Sequence, residues 1–388
     1  MSHINKRVPK RRFMEFNNAV AWEQRKLGEI AKITMGQSPD GINYTDNPKY
    51  NILVQGNADM KNGQVVPRVW TKQITKTAKK GDIILSVRAP VGEVGKTKYN
   101  VVLGRGVSGV EGNEFVFQLL SKMKLENYWG KYSAGSTFES IKSNEIKAAI
   151  ASVPEKQEQM KIGTFLKQLD DTIALHQRKL EKIKALKTAY LSEMFAAEGE
   201  TKPKRRFAGF TDDWEQRKLC ELAKITMGQS PEGVNYTDNP RDYVLVQGNA
   251  DMQNGHVVPR VWTKQITKTA KKGDIILSVR APVGDVGKTN YDVVLGRGVS
   301  ALEGNEFIFQ LLSKMKAENY WFKYSTGSTF ESINSNEIKE AIVSAPEKQE
   351  QMKIGVFFKQ LDKTITIHQR KLQKLQNIKK AYLNEMFI

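Results

Sequence analysis

The residues of this chain best suited to chemistry are arginine, glutamine, serine and lysine side chains set among glycines and prolines. Gln37 and Ser38 stand in Gly36-Gln-Ser-Pro39, Arg68 opens Arg68-Val-Trp70 with Lys72 beyond it, and Arg88 lies two residues before Pro90. Lys96 follows Gly95, Arg105 sits between Gly104 and Gly106, and Ser136 and Thr137 follow Gly135. The same residues return 192 positions later as Gln229, Ser230, Arg260, Lys264, Arg280, Lys288, Arg297, Ser328 and Thr329. Arginine and glutamine make paired hydrogen bonds to base edges, whereas lysine, serine, threonine and backbone amides hold phosphates. The chemistry these residues suit is therefore nucleic-acid recognition. A solvated basic face is the better account of any single lysine, but Arg88 and Arg105 are placed on turns by the glycine or proline beside them.

Catalytic constellations do not assemble. Pro90-Val-Gly-Glu-Val-Gly-Lys-Thr97 is similar to a phosphate-binding loop, yet it has proline where the first glycine belongs, and a strand-like segment, Tyr99 to Leu103, follows where a helix should open. The expected structure is a glycine-rich hairpin with Lys96 facing a phosphate. Asp46-Asn47-Pro48 is partly similar to a base-holding tetrapeptide of amino-methyltransferases, but Lys49 replaces the stacking aromatic, and a turn is expected. His176 and His368 fall on helical stripes, His256 replaces Gln64, and His3 is terminal, so no metal cluster is expected.

The 388 residues carry 61 Lys and Arg against 42 Asp and Glu, a formal charge of +19, which favours a polyanionic partner. The single cysteine, Cys220, excludes a disulfide framework and fits a reducing cytoplasm. No apolar run reaches membrane-spanning length, and the basic start, Lys6 to Phe13, lacks the apolar stretch of a secretory signal. The expected chain is soluble and cytoplasmic.

An internal duplication positions the candidate residues. Trp22-Glu-Gln-Arg-Lys-Leu27 recurs as Trp214-Glu-Gln-Arg-Lys-Leu219, and from there the halves align without a gap at roughly 80% identity. The lead-in Pro9-Lys-Arg-Arg-Phe13 matches Pro203-Lys-Arg-Arg-Phe207. This divides the chain into a lead-in at 1–21, a globular module at 22–154, a helical region at 155–195, a linker at 196–213, a second module at 214–346 and a second helical region at 347–388. Within each module, short β-rich runs such as Asp82-Ile-Ile-Leu-Ser-Val87 and Asn100-Val-Val-Leu103 predict a mixed or antiparallel sheet. Helices are expected over Phe115 to Tyr132 and Ser143 to Ile150.

After Pro154 the apolar residues adopt heptad spacing. Ile162, Leu166, Leu169, Ile173, Leu180, Ile183, Tyr190 and Met194 alternate steps of three and four, with polar His176 and Lys187 in the same series. Ile354, Phe358, Leu361, Ile365, Leu372, Leu375, Tyr382 and Met386 repeat the rhythm, with His368 and Lys379. The seam residues Ile173, Leu180, Ile183 and Tyr190 are expected to meet Ile365, Leu372, Leu375 and Tyr382 in an antiparallel or crossed pair. Gly163 and Asp170-Asp171 are expected to break each segment, leaving a later helix of about 24 residues and about 36 Å.

The two modules differ mainly in charge. By count the first carries about +7 and the second about +1, through Lys61→Gln, Lys98→Asn and Lys142→Asn and acids at Tyr50, Asn100 and Ala148. The candidate base-reading residues are the same in both, which implies equal base preference with unequal phosphate attraction.

Two modules each followed by Pro-Glu-Lys-Gln-Glu-Gln and a helix ending Tyr-Leu-(Ser/Asn)-Glu-Met-Phe resemble the specificity subunit of type I restriction-modification systems. Val8-Pro-Lys-Arg-Arg-Phe13, Lys80-Gly-Asp-Ile-Ile84 and Gly135-Ser-Thr137 before Pro154 add to the likeness, which covers essentially the whole chain. The resemblance implies an α+β fold in which two target-recognition domains, in pseudo-twofold arrangement, are separated by a two-helix coiled-coil spacer. It implies double-stranded DNA, two methyltransferase subunits and restriction/translocase subunits as partners. S-adenosylmethionine, ATP and Mg²⁺ are then used by those partners, none is bound by this chain, and the chain itself is not an enzyme. The near-identity of the modules, unusual for the family, implies an inverted-repeat target for adenine methylation or restriction, its half-sites about one turn of B-DNA apart. The rival expectations are a self-sufficient DNA-modifying enzyme, and a coiled-coil scaffold with non-specific nucleic-acid affinity.

Overall fold

A computed structural model describes residues 8–133, 140–324 and 332–388. The chain forms two compact units, one made of residues 1–177 with 371–388 and the other of residues 178–370. In the first, a short antiparallel ribbon pairs Glu23–Lys26 with Ile150–Val153 and closes the ends of the globular module. A six-stranded sheet runs in the order Lys32–Met35, Val107–Glu111, Ile83–Ser86, Val94–Lys96, Gln64–Val65, Met60–Lys61. A five-stranded sheet runs Tyr44–Thr45, Val69–Thr71, Asn51–Val54, Val101–Leu103, Lys76–Ala78.

Alternation along one strand explains how a single segment serves two cores. Side chains along a strand point to opposite faces. Ile83, Leu85 and, just beyond the strand, Val87 enter the larger core with Trp22, Phe115 and Leu120, whereas Ile84 joins Val54, Leu103 and Val107 in a smaller one. A strand buried on both faces is written as a continuous apolar run, which is what Ile83-Ile-Leu shows. The helix Glu114–Leu125 supplies much of the larger core, and the Asn113 side chain caps it by accepting from the Val116 amide at 3.0 Å.

Two helical expectations need correcting. The first helix ends at Leu125, because Asn127 takes a left-handed backbone (φ 52°), and a separate turn of helix spans Gly130–Ser133. The second covers Ser143–Ala148, since Ile150 opens the strand that pairs with Lys26.

The long helices, α1 (Lys156–Met194) and α2 (Lys348–Met386), are unbroken at 39 residues each, about 58 Å at 1.5 Å per residue. This corrects both expected breaks and removes the 24-residue segment on which the one-turn spacing rested. Gly163 lies where α1 crosses the start of the Glu114–Leu125 helix, and a Cβ there would come within 2.9 Å of Glu114 Cβ and Phe115 N. Its glycine serves close approach, not helix termination. Asp170 is occupied in pairing, as described next.

In the first unit the end of α2 returns against the first half of α1. Tyr382 sets its ring on Phe165 at 4.9 Å, Phe387 stacks on Phe115 at 5.0 Å, and Leu383 and Met386 are buried in the same core. The polar seam position Lys379 pairs with Asp170 at 2.6 Å. The second unit repeats the arrangement with the end of α1 against the first half of α2: Tyr190 on Phe357 at 5.2 Å, Phe195 on Phe307 at 5.0 Å and Lys187 on Asp362 at 2.6 Å. These contacts run antiparallel in both units. Ile173 and Leu180 are buried, while Ile183, Ile365, Leu372 and Leu375 are half-buried. No described helix is long and apolar enough to cross a membrane.

The lead-in acquires a role. Arg12 makes two 2.7 Å hydrogen bonds to Glu158 near the start of α1, and Arg206 does the same to Glu350 of α2, where the Trp214 indole N–H also donates at 3.2 Å. Glu350 is fully buried and Arg206 only 16% exposed. Removing one partner of such a pair strands a charge in the interior. Arg206→Met is therefore expected to destabilise the second unit by about 3–5 kcal/mol, read as a lowered urea midpoint, with little change in hydrogen-exchange protection of the first module.

Candidate nucleic-acid interface

Parallel strand pairing places the candidate residues together. In the second unit Tyr243–Val246 runs parallel to Val293–Leu295, with Val246 opposite Leu295, so the chain leaves both strands at the same end. Gln247 follows the first strand and Gly296-Arg297-Gly298 the second. Arg280 arrives two residues after the strand Ile275–Ser278 and bridges to Ser332. A cleft of about 480 Å³ opens here, lined by Ser230, Tyr236, Gln247, Asn249, Arg280 and Arg297 with the backbone of Gly248 and Gly298. The carboxyl ends of parallel strands are a recurrent place for ligand sites.

Close backbone crossing fixes the cleft's floor. A Cβ on Gly298 would lie 2.1 Å from the Gln247 carbonyl oxygen, and one on Gly228 would lie 2.1 Å from that of Gly296. No side chain fits at either position, so Gly298 and Gly228 let three loops touch. The turn bearing Gln247 is pinned from below by Asp251, buried, whose Oδ2 accepts from the amides of Gln247 (2.7 Å) and Gly248 (3.3 Å). Ser230 Oγ accepts from the Arg297 amide at 3.1 Å, and Gln247 Nε2 donates to the Tyr236 hydroxyl at 2.9 Å. The first unit repeats each bond: Asp59 to Gln55 and Gly56, Ser38 to Arg105, and Gln55 to Tyr44.

Electrostatics separates the expected residues into two groups. Arg88, Arg105, Arg280 and Arg297 are exposed and have no carboxylate partner among the described residues. Lys96 and Lys288 do not join them. Their ammonium groups lie 2.5 and 2.6 Å from Glu114 and Glu306 and only 24% exposed, so the hairpin lysine expected to face phosphate is instead bound to the module's own helix. Arg68 and Arg260 also lie outside the cleft. Each donates to a backbone carbonyl, of Ala58 or Ala250, and sits 3.6 or 3.7 Å from the buried Asp59 or Asp251 that pins the turn.

Gln37 and Gln229 are exposed beside the cleft, their backbone held by Thr75 and Thr267. Lys72 and Lys264 are exposed after the strands Val69–Thr71 and Val261–Thr263, and Lys72 lies over the Tyr50 ring at 5.6 Å. Ser136, Thr137, Ser328 and Thr329 lie outside the described residues. Sequence reasoning missed Tyr44, Gln55 and Asn57 with their counterparts Tyr236, Gln247 and Asn249. The signal available was Val54-Gln-Gly-Asn57, polar residues and a glycine ending an apolar strand.

The turn reading of Asp46-Asn47-Pro48 agrees with the structure: Asn47 Oδ1 accepts from the Lys49 amide at 3.0 Å. Lys96-Thr97 ends a strand, which is not the geometry of a phosphate-binding loop. Near the end of the second module, Tyr320 is pushed up to about 12 by burial and by its bond to Tyr324, so it stays a neutral phenol beneath the Lys323 ammonium, 3.7 Å from its ring.

Comparison with known proteins gives a consistent picture. Residues 19–185 and 211–377 each match the family model described as the type I restriction modification DNA specificity domain. The MjaX protein of Methanocaldococcus jannaschii, named as a type I restriction enzyme specificity subunit, is 25% identical over 394 residues, covering 94% of this chain and 92% of that protein. The type I restriction enzyme MjaIX specificity subunit of the same organism is 22% identical over 190 residues, 45% of this chain and 44% of that one. In fold, the chain is similar to the crystal structure of a type I restriction-modification system S subunit from M. genitalium, with TM-score 0.69 and 17% identity over 98% of this chain and 99% of that chain. A chain from a structural study of complex assembly in a type I system matches with TM-score 0.54 and 21% identity, over 94% and 97% respectively.

The crossing glycines supply a test of the cleft's construction. Gly298→Ala forces its new methyl into the Gln247 carbonyl and is expected to destabilise the second unit by about 1–3 kcal/mol, the usual cost of overpacking. Gly248→Ala, whose Cβ meets nothing within 4 Å and whose backbone is extended, is expected to leave stability unchanged. Thermal denaturation of the two variants checks both.

Proposed function

Because the chain belongs to the type I restriction-modification DNA specificity family, we propose that the cleft of the second unit and its counterpart in the first are where each module reads one half of a bipartite DNA target. The observation that carries this is the pair of exposed arginines, Arg280 and Arg297, without carboxylate partners among the described residues and held beside Gln247 and Asn249 on a glycine-built floor. Arginine meets the two acceptors of guanine and the amides suit adenine. The surrounding lysines, including Lys72 and Lys264, add phosphate attraction that orients the duplex without specifying it.

In this reading the chain selects DNA and does not transform it. Two methyltransferase subunits use the helical regions as their platform, restriction/translocase subunits join them, and S-adenosylmethionine, ATP and Mg²⁺ act in those partners. A cytoplasmic location follows from the DNA target and suits the exposed, free Cys220. The near-identical modules favour an inverted-repeat target, since equal readers meet equal base edges on opposite strands.

Two outcomes check the proposal. Sequencing of modified adenines in a host carrying the system should show two identical or nearly identical half-sites in inverted order, and Arg280→Ala should weaken recognition of one of them by about 1–3 kcal/mol. Two unrelated half-sites would sink the inverted repeat, and an unaltered map for Arg280→Ala together with Arg88→Ala would sink the cleft. The purified chain supplied with DNA, S-adenosylmethionine, ATP and Mg²⁺ is expected to show neither methylation nor cleavage; turnover by the chain alone would refute the non-catalytic assignment.

A further inference from the structure

The hydrogen-bonding capacity left on one side chain narrows what each cleft can read. We propose that Gln55 and Gln247 each recognise one adenine at a fixed position of their half-site, an inference that rests on the cleft being the DNA-reading surface. A glutamine amide offers two N–H donors and an oxygen with two lone pairs. Gln247 uses one N–H on the Tyr236 hydroxyl, at 2.9 Å, and Gln55 uses one on Tyr44, at 3.1 Å. Among the described residues, one N–H and the side-chain carbonyl oxygen remain. Turning the amide over still leaves a donor beside an acceptor, because the hydroxyl then donates to an oxygen that keeps a second lone pair while both N–H groups stay free.

One donor beside one acceptor matches the major-groove edge of adenine, whose N7 accepts and whose N6 amino group donates. Guanine presents two acceptors there, N7 and O6, and would set an oxygen against the amide oxygen. Cytosine offers a lone donor and thymine a lone acceptor, so each leaves one side of the amide unmatched. The neighbouring arginines have the opposite preference, having donors only.

The glutamine is also held from several sides. Its backbone N–H donates to Asp251, its backbone carbonyl lies under Gly298, and the Cβ position of Gly296 sits 3.3 Å from its Cγ. Tyr236 then fixes the end of the side chain. Such pre-organisation is what selective reading requires, since a loose amide would follow whatever base it met. Tyr236 and Asp251 are positioning residues in this scheme.

The test uses the full-length chain assembled with the methyltransferase subunits of its host, selecting from a pool of random DNA duplexes. Wild type should recover an adenine at one position of each half-site, favoured about five- to a hundredfold over other bases. Gln247→Glu, which only accepts hydrogen bonds, should lose adenine at that position in one half-site and move toward cytosine, leaving the other half-site intact. Gln247→Met, a similar shape without polar atoms, should make that position degenerate and covers the case in which the charged variant fails to fold. Tyr236→Phe should keep the motif with a weaker adenine preference. An unchanged motif at full strength in both Gln247 variants overturns the inference. Run in parallel, Arg280→Ala separates the two claims: if it weakens one half-site while the Gln247 variants do nothing, only the adenine assignment fails, and if none of the three has an effect the cleft itself is not the reading surface.

Discussion

One carboxylate in each unit holds three elements in register, and the rest of the unit is arranged around it. Asp170 accepts from Gln118, fully buried in the Glu114–Leu125 helix, at 2.8 Å, and pairs with Lys379 near the end of α2 at 2.6 Å. Asp362 does the same with Gln310 and Lys187. Through Gln118 the link continues to Glu114, at 3.3 Å, and from Glu114 to Lys96 of the hairpin. A continuous polar chain thus joins the globular module, its own long helix and the returning helix. Partly buried ion pairs of this kind contribute little net stability over apolar residues, but a mispaired register leaves each charge without its partner. An apolar heptad seam could slide by seven residues with modest loss; one containing Lys379 and Asp170 cannot.

That register determines where the reading surface stands relative to the helices of its own unit. The hairpin holding Lys96 is built on the strand Ile83–Ser86, which leads on to Arg88. The arginine therefore stands at the far end of a rigid path that begins at the seam. Rigidity continues across the cleft floor, where the glycines on either side of Arg105 permit backbone to lie on backbone. The side chains proposed to discriminate bases are carried on strand ends and crossings, a placement that suits pre-organised recognition.

The parts legible in the sequence were those governed by local period and by the duplication. Heptad spacing gave the long helical regions, short apolar runs gave the buried strands, and the glycine or proline beside them pointed to Arg88 and Arg105. What could not be read depended on partners distant in the chain. Gly163 looks like a helix breaker until Glu114 is seen against it, 49 positions earlier. Lys96 looks like a phosphate ligand until Glu114, again remote, is found on its ammonium group. Gln55, Tyr44 and Asn57 are ordinary loop residues by composition, and only the parallel pairing of Val54 with Leu103 sets them beside Arg105. Ion pairing and glycine contacts, both non-local, decide where these side chains stand more than residue type does.

The same distinction explains what the two copies have kept and what they have let change. Lys61, Lys98 and Lys142, the basic residues lost from the second module, are all exposed. An exposed lysine acts on DNA through a screened field that several others share, so replacing one alters affinity and salt dependence by a graded amount. Gln55, Arg105 and their supporting glycines have no such latitude. A methyl on Gly106 would meet the Gln55 carbonyl at 2.0 Å, and a changed amide would face the wrong base edge. On the proposed reading the first module, at about +7, would hold the duplex more strongly than the second, at about +1, while the two would pose the same question to the bases. Affinity would then be distributed over many replaceable charges, and specificity concentrated in a few side chains that the fold holds still.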